Sequence, residues 1–239
     1  MEKQEKIVSM FNDISGKYDI ANRVLSMGID KSWRNKACNK TFELYKKTSI
    51  EKIIDVACGT GDMIDFWKKT AKNNNIELKE IVGVDPSVGM MDVARQKFPN
   101  VEFIESGAAS MPLESNSADI ISISYGIRNV VQRQEAFDEF ARVLKKDGLV
   151  VISEFTKNEK RTPLDYMTDF YMNKILPTLG GLITKNKEAY TYLPNSIDEF
   201  LTTDNLCFEL KNAGLEPIHV KAFSMNISTL IIARKIKEG

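Results

Sequence analysis

"IIDVACGTGDM", residues 53–63, decides how the chain is read. A short apolar, β-branched run ends on the carboxylate Asp55. Gly59 and Gly61 then flank Thr60 before an amphipathic stretch begins. Glycine permits a tight turn and lets a ligand approach the backbone. A strand running through such a turn into a helix is the opening unit of an α/β sheet. The nearest rival is a dinucleotide loop, G-x-G-x-x-G, which sets pyrophosphate on a helix N-terminus. Here Ile64 stands where the third glycine would fall, and carboxylates at Asp55 and Asp62 bracket the loop. Two anions receive pyrophosphate poorly and a cationic or ammonium-bearing ligand well.

Outward from this loop the theme repeats. "EIVGVD" (80–85) is a second strand, with Pro86 set to open a helix carrying Met90, Met91 and Ala94. "VEFIES" (101–106) and "ADIISISYG" (118–126) are a third and a fourth. A helix over 134–145 ends at the turn KKDG (145–148), and "LVVISEF" (149–155) is a fifth strand. Such alternation predicts a parallel sheet with helices on both faces, and ligands then sit outside the carboxyl ends of the strands. Residues 1–45 read as a helical cap, with apolar stripes at Ile7, Val8, Met10, Phe11 and Ile14 and again at Trp33, Ala37 and Phe42. Residues 157–201 read as a helical insertion beside the ligand end, beginning with a helix opened by Thr162-Pro163 and carrying Leu164, Met167, Tyr171 and Ile175. A helix over 204–213, stopped by Gly214, precedes "EPIHVKAF" and "STLIIARK", a closing antiparallel hairpin. The reading is one domain over 1–239.

Composition narrows the function. Lys+Arg and Asp+Glu both total 33, which lacks the basic excess that phosphate binding requires and argues against a nucleic-acid partner. Cys38, Cys58 and Cys207 show no paired ligand spacing, and His219 is the lone histidine. A zinc site and a Ser–His–Asp triad are both short of residues, so no metal is expected. The start lacks an apolar signal core, and no run approaches the ~20 apolar residues of a membrane span. The expectation is a cytoplasmic chain with free thiols, leaving surface attachment to a membrane open.

Asp85 ends the second strand, where a carboxylate can accept both ribose hydroxyls. Ribose plus a positively charged tail describes S-adenosylmethionine. D-V-A-C-G-T-G-D and Asp85 resemble class I S-adenosylmethionine-dependent methyltransferases. More closely, "MFNDISGKYDIANRVLSMGIDKSWR" (10–34), "SISYGIRNV" (122–130) and "YTYLPNSIDEF" (190–200) are similar to signatures of the ubiquinone/menaquinone biosynthesis C-methyltransferases. The resemblance runs from about residue 10 to 235. It implies a Rossmann-like, mostly parallel seven-stranded sheet with an antiparallel C-terminal strand. It also implies cofactor contacts from Thr60, Asp85, Gly107, Ala108 and Ser124, beside the Asp55, Gly59 and Gly61 of the loop. Gly107 stands where the family has Asn, and "FSMNISTLIIARK" (223–235) lacks its usual glycine and histidine.

The implied acceptor is a polyprenylated quinol, demethylmenaquinol or a relative, methylated on a ring carbon. A quinol carbon becomes nucleophilic when a neighbouring hydroxyl loses its proton, so the site needs a proton acceptor and a partner for the oxyanion. Arg128, always charged, is assigned to the oxyanion, Asn129 to orienting an oxygen or water, and Tyr18 to a hydrogen-bonding lid. Asp19 and Asp55 are the weaker candidates for a base. Met167, Met172, Leu176, Leu179 and Leu182 offer apolar surface to the tail, and Tyr190 and Tyr192 line the pocket. A lipid acceptor implies transient membrane-surface contact at the inner face of the membrane. A homodimer stays open, as do another small aromatic acceptor and a non-catalytic cofactor-binding role.

Overall fold

The structure, a computed structural model, describes residues 2–157, 170–184, 186–224 and 227–236. Seven strands form one sheet in the order β3-β2-β1-β4-β5-β7-β6. They are β1 (Ser49–Val56), β2 (Glu77–Asp85), β3 (Glu102–Glu105), β4 (Ala118–Ser124), β5 (Leu144–Glu154), β6 (Leu215–Phe223) and β7 (Ser228–Lys235). The first five pair in parallel, and β7 runs antiparallel to both β5 and β6. The sheet order reverses at β1, between β2 and β4, so the loops after β1 and β4 part there and leave a crevice.

Alternation along each strand divides the core into two layers. Ile53, Ile120, Leu149, Val151 and Ile232 face one side, packing against α3 (Ile29–Tyr45) and α4 (Asp62–Asn73) through Phe42 and Trp67. Ile54, Ile121, Ile123, Val150, Ile152 and Ile231 face the other, where α6 (Arg133–Val143) and α9 (Thr203–Asn212) supply Phe137, Phe140, Leu206 and Leu210. Burial on both faces explains why these strands read as continuous apolar runs.

The KKDG segment departs from the sequence reading. Helix α6 ends at Val143, and β5 begins at once with Leu144 paired to Ala118. The next pair is Ile120 with Leu149, so β5 advances from 144 to 149 while β4 advances from 118 to 120. KKDG is thus a bulge inside the strand. Asp147 takes a positive φ of 62°, and a Cβ on Gly148 would lie 2.9 Å from the Lys145 carbonyl oxygen.

The N-terminal residues form α1 (Glu2–Ile14), α2 (Tyr18–Leu25) and α3, breaking at Ser15–Lys17 and around Gly28. Helix α5 (Val88–Lys97) begins one residue after its N-cap, Ser87, rather than at Pro86. Asn12 of α1 accepts from the Ser87 hydroxyl at 2.7 Å and from the Gly89 amide at 2.9 Å, fastening α1 over the start of α5. Within 170–200, a π-helical turn (Tyr171–Ile175) leads to α7 (Leu176–Thr184) and α8 (Lys187–Asp198). Ile14, Ala21, Leu25, Met90, Leu176, Ala189 and Tyr190 join these helices to the N-terminal ones in a small third core. The helix expected from Thr162-Pro163, with Leu164 and Met167, lies outside the described residues. Among the described residues no helix is long and apolar enough to cross a membrane.

Candidate active site

The carboxyl ends of β1, β2 and β4 and the loop after β3 enclose a cleft of about 930 Å³, open on one side. Gly59, Asp85, Gly107, Ala108 and Ser124 line it, joined by Asn129 and Tyr18. Asp85 folds the glycine loop down: its Oδ2 accepts the Gly59 amide and its Oδ1 the Ser87 amide, each at 2.8 Å. Burial pushes its carboxyl up to about 6, against the pull of those two amides. The Gly59 amide, which a phosphate would need, is therefore already taken. This is the physical reason the loop does not suit a dinucleotide.

Three nominated residues lie outside the lining. Asp55 sits behind the loop, where Trp67 donates to Ser122 at 3.0 Å and Ser122 donates to Asp55 Oδ1 at 2.6 Å. Its Oδ2 is buried without a partner, and burial pushes the carboxyl up to about 7. Thr60 donates to Asp19 at 2.5 Å, and Asp19 pairs with Lys97, so Thr60 fastens the loop to the N-terminal helices. Gly61, at φ 83°, precedes α4, and a Cβ there would lie 2.8 Å from the Phe98 ring. Its glycine answers to packing. Two carboxyls thus serve the cleft, Asp55 behind its floor with an unpartnered oxygen and Asp85 in its wall. Ammonium, sulfonium and ribose hydroxyl groups fit carboxyls so placed.

A second, larger pocket of about 1570 Å³ adjoins the first. Both are lined by Phe11, Tyr18 and Tyr125, which form their common wall. Burial holds the Tyr18 hydroxyl above the usual phenol range, so it stays protonated and serves as a donor. Tyr125 follows β4 at a φ of 59°, bonds Ser228 through its hydroxyl at 3.0 Å, and packs its ring 4.7 Å from that of Phe155. Residues in this strained region persist only where the surroundings over-determine them.

Arg128 and Asn129 part company. Arg128 lines the second pocket, with its side chain 6% exposed. Its Nη1 donates to Glu154 Oε1 at 2.6 Å and to the Tyr125 carbonyl at 2.7 Å, and its Nε donates to Ser196 at 3.2 Å. Glu154, fully buried at the end of β5, also accepts the Arg128 backbone amide at 3.3 Å. Asn129 lines the first cleft, and its Oδ1 accepts from Tyr192 at 2.9 Å. Tyr190 and Tyr192 both line the second pocket. Sequence reasoning missed Glu154, although a lone acid closing the apolar run LVVISE was a usable signal.

Gly126 has the residue type of a pivot for this turn and yet is not one. Its φ is −115°, open to any residue, and the left-handed position is Tyr125. Gly126 is glycine because an added Cβ would lie 2.6 Å from the Ala57 Cβ in the loop after β1. Gly126→Ala is expected to push these two loops apart, costing about 1–3 kcal/mol of stability and weakening cofactor binding. Thermal melts with and without S-adenosylmethionine check it, and an unchanged melting temperature would show that the loops yield freely.

The comparisons with known proteins agree with this geometry. Residues 1–235 match the model of the ubiE/COQ5 methyltransferase family. This chain belongs to that family. It is 56% identical over 236 residues to a ubiquinone/menaquinone biosynthesis C-methyltransferase UbiE of Campylobacter jejuni, covering 99% of this chain and 100% of that one. It is 33% identical to a demethylmenaquinone methyltransferase of Chlorobaculum tepidum, over 98% and 94% of the two chains. Among solved structures, a SAM dependent methyltransferase from Aquifex aeolicus has a TM-score of 0.58 at 15% identity, over 83% of this chain and 89% of that one. The [4+2]-cyclase SpnF has a TM-score of 0.62 at 16% identity, over 85% and 81%. Those two share the fold, and a cyclase among them shows that fold alone does not fix the chemistry. The enzyme is an S-adenosylmethionine-dependent methyltransferase of quinone biosynthesis, as its family membership establishes.

Proposed function

We propose that this enzyme methylates a ring carbon of a prenylated quinol, with demethylmenaquinol as its acceptor. The observation that carries this reading is the shared wall. A cleft suited to a cationic nucleoside abuts a large apolar pocket, and Phe11, Tyr18 and Tyr125 line both. When bound, S-adenosylmethionine supplies an electrophilic methyl group on a sulfonium. Asp85 takes its ribose hydroxyls, Gly107 and Ala108 lie against its base, and Gly59 and Ser124 border the rest.

The protein's own residues then align and activate the ring. A phenol titrates near 10, and a desolvated guanidinium lowers that value. Arg128 fills this role from the second pocket. Tyr18 donates from the shared wall, and Asn129, held by Tyr192, orients from the cofactor side. Met27 and Ile29, which line the second pocket, are 76% and 42% exposed, an apolar lip through which the tail reaches a membrane surface. Demethylmenaquinol is the acceptor compatible with the names of both relatives.

Purified enzyme, labelled S-adenosylmethionine and reduced demethylmenaquinol should yield a ring-methylated product by mass spectrometry. Cells lacking the enzyme should carry a quinone pool short of one methyl group. An unchanged pool, together with no transfer in vitro, would sink the reading.

A further inference from the structure

The second pocket holds two guanidinium groups in its wall, and their circumstances differ. That of Arg128 is hydrogen-bonded to carboxylate, carbonyl and hydroxyl oxygens. Arg34, on α3, is as deeply placed, with its side chain 9% exposed. Its Nε is buried without a hydrogen-bond partner. The carboxylates beside it, Asp30 and Asp62, stand 3.5 and 4.0 Å away, and Arg23 is hydrogen-bonded to both. The Arg34 guanidinium lies 5.2 Å from the centre of the Tyr125 ring, and Arg128 lies 5.6 Å from that of Phe155. The two rings are themselves neighbours, at 4.7 Å. Two cations thus flank adjacent rings along one wall of an apolar pocket. A buried cation short of hydrogen bonds is costly, and a ligand oxygen in the pocket would relieve it.

We propose that Arg34 binds the second oxygen of the acceptor ring, the hydroxyl remote from the methylated carbon, and so fixes which ring carbon meets the methyl group. This rests on the quinol reading. Arg128 keeps the hydroxyl next to the reacting carbon, and a ring with two opposed oxygens is gripped at both ends.

The test compares demethylmenaquinol with an analogue lacking the remote hydroxyl. Wild type should favour the diol in kcat/KM by about 10- to 100-fold, the worth of one charge-assisted hydrogen bond. Arg34→Gln should bring that preference close to one while leaving S-adenosylmethionine affinity unchanged. Arg34→Lys, which keeps the charge but loses the planar fork, should fall between. Equal loss on both acceptors would make Arg34 structural and overturn the proposal. So would a wild type that does not distinguish the two acceptors, or, should Arg34→Gln misfold, an Arg34→Lys variant that keeps the full wild-type preference. Wild type that methylates neither acceptor would overturn the quinol reading itself, a separate and recognisable outcome.

Discussion

Arg128→Ala is expected to melt roughly 6–20 °C below wild type and to lose about 100- to 1000-fold in turnover, from two different causes. The melting effect belongs to Glu154. That carboxylate is fully buried and, among the described residues, would keep only the backbone amides of Arg128 and Phe155 as partners. Removing one member of a buried pair costs about 3–5 kcal/mol, because the other is left charged and dry. For a chain of this length each kcal/mol moves the midpoint by about 2–4 °C. The turnover effect belongs to the acceptor oxygen. Pairing Arg128→Met with Glu154→Gln separates them, since no buried charge is then left alone. The double variant should recover most of the melting temperature and none of the turnover. Recovery of both would show that Arg128 serves only to neutralise Glu154.

Asp85→Ala should weaken S-adenosylmethionine binding by about 100-fold or more, since each hydrogen bond to a charged group contributes about 1.5–3 kcal/mol. The loss has two parts, the ribose contacts and the two amides that hold the glycine loop. The pH dependence has a definite sign. In the proposed binding mode ribose hydroxyls would donate to the ionised carboxylate, and burial pushes that carboxyl up to about 6 in the free protein. Affinity should therefore be full above that value and fall about tenfold per unit below it. Stability of the free protein runs the other way. A carboxyl raised above its unfolded value of 3.8 contributes stability below that value and loses it as pH rises to about 6. Asp55, raised to about 7, adds a trend of the same sign. Calorimetric titration across pH 5–8 checks the first statement, with Asp85→Asn expected to flatten it. A wild-type affinity independent of pH would remove Asp85 from the ribose.

Much of the sheet was legible because apolar β-branched runs and the strand-end rule are both local. The CGTG loop and Asp85 follow strands whose apolar runs stand out, whereas Gly107, Ala108 and Ser124 came from the family resemblance. The misses were tertiary. KKDG has turn composition, yet its residues continue a ladder on a neighbouring strand and so become a bulge. Gly126 reads as a pivot, while its reason lies in Ala57, far away in sequence. The helices over 176–198 fall inside the expected helical insertion, although Gly180, Gly181 and Pro194 there lower helix propensity. Packing overrides it there: a Cβ on Gly180 would lie 2.3 Å from the Tyr190 ring, so the glycine lets two helices close on each other. The roof that α1 gives the cleft through Gln4, Ile7 and Val8 reads as ordinary core stripe until the sheet beneath it is seen.

The common wall of Phe11, Tyr18 and Tyr125 has a thermodynamic corollary. A partition owned by two chambers holds one position at a time, so a guest that settles it on one side sets the terms of entry on the other. Whatever factor the nucleoside imposes on the ring's dissociation constant, the ring must impose on the nucleoside's, whichever arrives first.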